Sequence, residues 1–238
     1  MKYIVISVDD SRADYRNKIK SKTELPEQEF LATDARLSTF DISYALRTRG
    51  LKIADWEDIK IGEIGCWLSH FDGWRLVVEK DEPMVIFEDD VILAESFSHN
   101  LSDFLEEVPE DYDFVSLSVP PDQFPDYLWI VRYSVKGEPD IIGKVFDGKD
   151  SQFNYGAVRM AKAYQTWGLG AVLYSPRGAR KLISLAREHG LYTPVDCFLF
   201  NQAHLGAVTG YAPKPFFVNQ LTTFNINAPT TVQDTEII

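Results

Sequence analysis

The chain has 238 residues, 45% hydrophobic and 13% aromatic, which suits a globular protein with one sizeable core rather than a disordered chain. Its net charge of −12 argues against non-specific nucleic-acid binding, which relies on Lys and Arg to neutralise phosphates, though a local basic groove is compatible with it. No stretch approaches the roughly 20 apolar residues of a membrane helix, and the apolar part of the N-terminus is too short for a signal peptide, so a soluble, cytoplasmic protein is expected.

Tyr3 to Val8 reads as a buried first strand, ending in the polar turn Asp9-Asp10-Ser11-Arg12. Ala13 to Lys22 follows as a helix, so the chain opens like a Rossmann-type α/β protein. The glycine fingerprint G-x-G-x-x-G is absent, and a nucleotide at this turn would be met by side chains, with Arg12 the candidate. A surface ion pair with Asp9 or Asp14 explains Arg12 equally well. Glu29 to Thr33 is a possible second strand. Ser38 to Arg49 reads as a helix closed by Gly50.

Ile61 to Val78 has apolar residues at helical spacing, and Glu63, Trp67, His70 and Trp74 fall on one stripe. Gly62 and Gly65 lower helix propensity but permit a close backbone approach. For Glu63 a dipole-complementing acid and a functional carboxylate are equally consistent. For His70 the same holds of a core histidine and a functional one. Cys66 and Cys197, the only two cysteines, lie in apolar segments and read as reduced core residues.

Val85-Ile86-Phe87 reads as a short buried strand running into Glu88-Asp89-Asp90, after which Val91-Ile92-Leu93 is apolar again. Three adjacent acids at a core strand's end repel and pay a desolvation penalty unless a cation or hydrogen bonds compensate. Strand alternation puts Glu88 and Asp90 on one face and Asp89 on the other. Glu88 and Asp90 thus offer oxygen ligands to a hard divalent ion, with room for water and phosphates. A solvated acidic turn is the plainer alternative, disfavoured by the apolar runs on both sides.

Phe97 to Glu107 has the pattern of an amphipathic helix and Tyr112 to Ser118 that of a buried strand. The stretch 120–160 is rich in Pro, Gly, Asp and aromatics and reads as a binding loop or lid, with a weak strand at Trp129 to Tyr133. Its aromatics (Phe124, Tyr127, Trp129, Tyr133, Phe153, Tyr155) suit stacking on a sugar or base, or packing on the core. Gln165 to Tyr174 reads as a strand whose small residues, Gly168, Gly170 and Ala171, admit a close neighbour. Ser175-Pro176 opens a helix that runs to about Glu188 and is stopped by Gly190. Thr193-Pro194-Val195-Asp196 repeats that grammar, so Asp196 is either a capping acid or a general base held at a helix N-terminus. The tail from Pro213 carries one strand-like piece, Phe216-Phe217-Val218. No linker divides the chain, and residues 1–238 read as one domain.

Three stretches together resemble glycosyltransferase family 25, which builds lipopolysaccharide outer-core sugars and has relatives that modify collagen. Gly62-Glu63-Ile64-Gly65-Cys66 with Leu68-Ser69-His70 looks like the family's G-E-I/L-G/A-C-x-x-S-H segment. Val85-Ile86-Phe87-Glu88-Asp89-Asp90-Val91 looks like its I-x-F/L-E-D-D-V strand. Gly178-Ala179-Arg180-Lys181-Leu182, then Pro194-Val195-Asp196, is similar to its G-A-x-K-L helix and downstream P-V/I-D. The chain departs from the family at Val8-Asp9-Asp10, where an Asn-Leu-Asp type turn is usual, and in the stretch 120–160.

The resemblance implies a GT-A fold, Rossmann-like, with a mostly parallel central sheet flanked by helices and a nucleotide-sugar at its C-terminal edge. It implies an inverting hexosyltransferase that moves galactose or glucose from a UDP-sugar to a hydroxyl of a glycan such as lipopolysaccharide. Mn²⁺ or Mg²⁺ held by Glu88 and Asp90 would then stabilise the departing diphosphate. Asp196 is the expected base, with Glu63 second. Arg12, Ser69, His70 and Asp89 fall to donor binding. Three rival readings remain. A transferase acting on a modified base of viral DNA would use a basic patch of Arg159, Lys162, Arg177, Arg180 and Lys181. A metal-dependent phosphohydrolase would need further ligands, and the histidines at 70, 99, 189 and 204 are not at ligand spacing. A silent sugar-binding protein would need no metal.

Overall fold

The computed structural model describes residues 1–8, 12–54, 56, 58–93, 97–118, 168–212, 218 and 220, with backbone alone for 134–135, 138–139, 141–143, 156–160, 213–214 and 219. Continuous apolar runs become strands, and those at the centre, residues 84–87, 114–116 and 171–174, are buried throughout. β1 is Lys2–Ile6, β2 Met84–Glu88, β3 Val91–Leu93 and β4 Phe114–Ser116. The short strands β5 (Ser134–Val135), β6 (Glu138–Pro139) and β7 (Ile141–Gly143) precede β8 (Gly156–Met160). β9 (Ala171–Tyr174), β10 (Gly210–Lys214) and β11 (Val218–Gln220) complete the set. Segments with 3.6-residue periodicity form α1 (Ala13–Lys22), α2 (Ile42–Arg49), α3 (Ile61–Lys80), α4 (Phe97–Glu107), α5 (Pro176–His189) and α6 (Val195–His204). No described helix is long and apolar enough to cross a membrane.

A seven-stranded sheet in the order β1-β2-β9-β4-β10-β8-β7 forms the centre of an α/β fold. β1 pairs with β2, and β10 with β4, in parallel. β9 runs against both β2 and β4, and β8 against both β10 and β7. Five of the seven strands therefore share one direction and β8 and β9 are reversed. The pleat sends Ile4, Met84, Ile86, Phe114, Val172 and Tyr174 into a core with α3, α5 and α6. Tyr3, Val85, Phe87, Val115, Ala171 and Leu173 face the other way, against β3 and α4. Gly73 lets α3 lie close on the sheet, since a Cβ there would sit 2.6 Å from Ile86 Cδ1.

Several expected boundaries shift. β1 ends at Ile6 rather than Val8. Residues 29–33 form no strand. Their neighbour is α3, where the Thr33 amide donates to Ser69 Oγ and the Thr33 carbonyl lies 3.0 Å from where a Gly65 Cβ would be. α2 begins at Ile42 because Asp41 caps it, accepting from the Tyr44 amide at 2.8 Å, and Gly50 closes it at φ +68 as expected. β4 is shorter than Tyr112 to Ser118, and β9 starts only at Ala171, after Gly168 at φ +94. The cap of α6 is Pro194, not Thr193, so Asp196 is its second residue rather than its third. The strand in the tail is Val218–Gln220; Phe216 and Phe217, the aromatics of 120–160 and the expected strand at Trp129 to Tyr133 lie outside the described residues.

Candidate active site

Glu88 ends β2 beside the parallel end of β1, at the C-terminal edge where open α/β sheets bind ligands. Asp89, in the turn that follows β2 rather than in the strand, points toward β1. Its Oδ2 accepts from Ser7 Oγ and its Oδ1 from Arg12 Nη1, each at 2.7 Å. Arg12 therefore pairs with Asp89, not with Asp14; Asp9 lies outside the described residues. Glu88 and Asp90 share the opposite side, and one amide reaches both. Gln220 Nε2 donates to Glu88 Oε2 at 2.7 Å and lies 3.5 Å from Asp90 Oδ1. Gln220 arrives on β11, which pairs with β3 so that Gln220 stands opposite Val91. Gly168 and Gly170 leave the space it fills: a Cβ on either would come within 2.1 Å of its Oε1 or 2.4 Å of its Cγ. Burial, then the charge of Glu88, pushes Asp90 from 3.8 up to about 6, although Arg12 and Gln220 oppose the rise.

The α3 side is rigid. Trp67 packs its ring 4.9 Å from that of Phe198 on α6 and donates its indole N–H to the Thr193 carbonyl at 2.7 Å. This ties α3 to the start of α6. Asp196 accepts there from the Gly168 and Cys197 amides, both at 2.7 Å. Burial is the larger influence and raises Asp196 above the usual carboxylate range, with Glu88 adding to the rise. His70 is fully buried on α3, with Nε2 3.3 Å from Glu88 Oε1 and Nδ1 without a hydrogen-bond partner. One turn earlier, Cys66 is pushed well above its ordinary range by burial and by Glu88, Asp196, Glu63 and Asp90 in turn. The charges of four carboxylates from three separate segments therefore act on one thiol. Glu63 also accepts from the Lys60 amide at 2.7 Å, as a capping acid does. Ser69 lies between the Gly65 carbonyl, to which it donates, and the Thr33 amide.

The model of glycosyltransferase family 25 (LPS biosynthesis protein) matches residues 1–199. The chain belongs to this family. It is 29% identical over 142 residues to procollagen galactosyltransferase 2 of Mus musculus, a match covering 58% of this chain and 19% of that protein. It is 33% identical over 139 residues to the probable inactive glycosyltransferase 25 family member 3 of Rattus norvegicus, covering 58% and 20%. A Drosophila melanogaster glycosyltransferase 25 family member is 30% identical over 142 residues, covering 58% and 19%. The chain thus spans about a fifth of the length of the curated relatives it matches.

In this family 25 chain, the charges of Glu63, Glu88, Asp90 and Asp196 all act on Cys66, His70 touches Glu88, and Arg12 pairs with Asp89. Ser69 stands apart, fastening residue 33 to α3. Gln220 escaped the sequence reading. Gly168 and Gly170 signalled a close neighbour, but nothing local said that it would come from the tail. Of the basic patch, Arg177 and Lys181 pair with the buried Asp113 and Arg180 pairs with Asp81.

Proposed function

We propose that the chain is a metal-dependent inverting glycosyltransferase that moves a hexose, galactose or glucose, from a UDP-sugar to a hydroxyl of a glycan such as lipopolysaccharide. The observation that carries this reading is the Glu88–Asp90 pair at the sheet's C-terminal edge, with a third, half-buried carboxylate, Asp196, whose charge acts on the same Cys66 thiol. The donor set suits Mn²⁺ or Mg²⁺: two carboxylates offer hard oxygens, and a cation would offset both the burial and the Glu88 charge that raise Asp90. Such an ion would supply Lewis-acid stabilisation to the diphosphate leaving group. Glu88 and Asp90 would hold it, and Arg12, clamped by Asp89, would stand beside the phosphates.

Asp196 is the proposed base. Its carboxylate is held by two backbone amides, and its raised proton affinity favours taking the proton of an acceptor hydroxyl as the new bond forms. Glu63, occupied as a helix cap, is the second candidate. The names of the relatives support galactose as the sugar, while the family's description supports a lipopolysaccharide acceptor. A viral-DNA acceptor has less support, because Arg177, Lys181 and Arg180 of its patch are already engaged by Asp113 and Asp81.

Thermal unfolding with UDP, UDP-galactose and UDP-glucose, in Mn²⁺ or EDTA, tests the reading. Stabilisation that requires both metal and a uridine nucleotide, and disappears in Glu88→Ala, is the expected result. No shift with any nucleotide would remove it. One relative is named probable inactive, and this favours a silent sugar-binding protein as the second reading. Metal-dependent release of UDP from the stabilising sugar nucleotide separates the two, since a silent binder releases none.

A further inference from the structure

Glu88 presents its two oxygens to two different sets of donors. Oε2 meets Gln220 on the Asp90 side. Oε1 meets His70, and one donor atom each from Cys66, His70 and Glu88 lies within 4.8 Å of the others. The first set is two carboxylates bridged by an amide N–H donor. The second is a thiol, an imidazole and one carboxylate, the ligand types of zinc-like cations rather than of Mg²⁺ or Mn²⁺. We propose that Cys66, His70 and Glu88 form a second cation site, selective for thiophilic divalent ions such as Zn²⁺, Cd²⁺ and Co²⁺.

The backbone arranges this set before any ion arrives. Cys66 and His70 are one turn apart on one face of α3, a helix fixed against the sheet at Gly73 and against α6 through Trp67. Glu88 is fixed by its place at the end of β2, where its amide donates to the Gly170 carbonyl at 2.8 Å. Tetrahedral zinc, with bonds of about 2.3 Å to sulfur and 2.0–2.1 Å to nitrogen or oxygen, holds its ligands roughly 3.3–3.6 Å apart. Side-chain adjustments on the order of 1 Å therefore close the set. The Glu88 side chain is 23% exposed, which leaves an entry path and a fourth position for water. The charges of Glu63, Asp90 and Asp196, which all act on Cys66, make the locality favourable to a cation. Because Glu88 belongs to both sets, a thiophilic ion withdraws a ligand from the hard-metal site; that competition alone rests on the function proposed above.

Cobalt gives the test, since thiolate coordination to Co²⁺ produces a charge-transfer absorption that oxygen ligation does not. The reduced protein, stripped with EDTA and desalted, is titrated with Co²⁺ alone, then with Zn²⁺. The expected result is a thiolate band that one equivalent of Zn²⁺ abolishes, persists in Cys197→Ser and Asp90→Asn, and is missing in Cys66→Ser. Cys66→Ser should also weaken Zn²⁺ binding by more than the roughly 10- to 100-fold typical of losing an outer-shell partner. Far-UV circular dichroism checks folding, and His70→Gln provides a second route should the serine variant fail. A wild-type protein without the band, or a band unchanged in Cys66→Ser, overturns the proposal. Neither outcome depends on nucleotide binding, so the site and the transferase reading can fail separately.

Discussion

Asp90 is held ionised at neutral pH against its surroundings, and Asp90→Asn should expose the cost. Burial and the charge of Glu88 raise its folded-state pKa from 3.8 to about 6. A carboxyl raised in this way favours the folded state when protonated. That contribution is complete below about pH 3.8 and is lost as the pH rises through about 6. The gap between those values corresponds to about 3 kcal/mol. The asparagine has no charge to lose. In EDTA, Asp90→Asn should therefore be more stable than wild type by up to about 3 kcal/mol at pH 7.5, with the difference fading toward pH 4. Urea unfolding at four or five pH values measures this directly. Equal stability at pH 7.5, or a difference of the same size at pH 4, would show that Glu88 and burial do not load Asp90 as argued. On the proposed function, the same variant should lose its stabilisation by Mn²⁺ with UDP, the pattern expected of a destabilised functional residue.

Three further outcomes are expected. Asp196→Asn should lower kcat by roughly 10²–10⁴ while donor KM changes little, and a variant keeping more than a tenth of wild-type kcat would exclude the base role. Gly170→Ala places a Cβ 2.4 Å from Gln220 Cγ and should destabilise by about 1–3 kcal/mol in urea unfolding; an unmoved midpoint would mean that Gln220 does not need this space. Asp113→Ala leaves the Thr209 amide without its carboxylate acceptor while Arg177 and Lys181 reach solvent, so a loss of about 1–3 kcal/mol is expected in the same assay.

Local grammar carried most of the fold. The cap at Ser175 and the αL glycine at Gly50 act within a few residues and stand where the sequence put them; Glu88 and Asp90 meet one amide while Asp89 faces away, but a turn after β2, not strand alternation, divides them. What failed depended on distant partners. Residues 29–33 have the composition of a strand, but Thr33 turns its amide to Ser69 Oγ of α3 and its carbonyl toward Gly65 instead of joining a sheet. The reversal of β9 between β2 and β4 is set by chain path, which hydrophobic pattern alone does not encode. The acid pair was legible as chemistry, whereas Gln220, 130 residues beyond Asp90, was not.

The family 25 match ends at residue 199, yet β10 lies between β4 and β8, and Gln220 lies beyond both. A fragment trimmed to the match would lose an interior strand and the amide that spans Glu88 and Asp90. During synthesis the same order holds in time: the ribosome has made every acid of the cluster well before Gln220 emerges. The nascent chain must therefore carry Glu88 and Asp90 without their shared hydrogen-bond donor until β11 pairs with β3, among the last ladders to form.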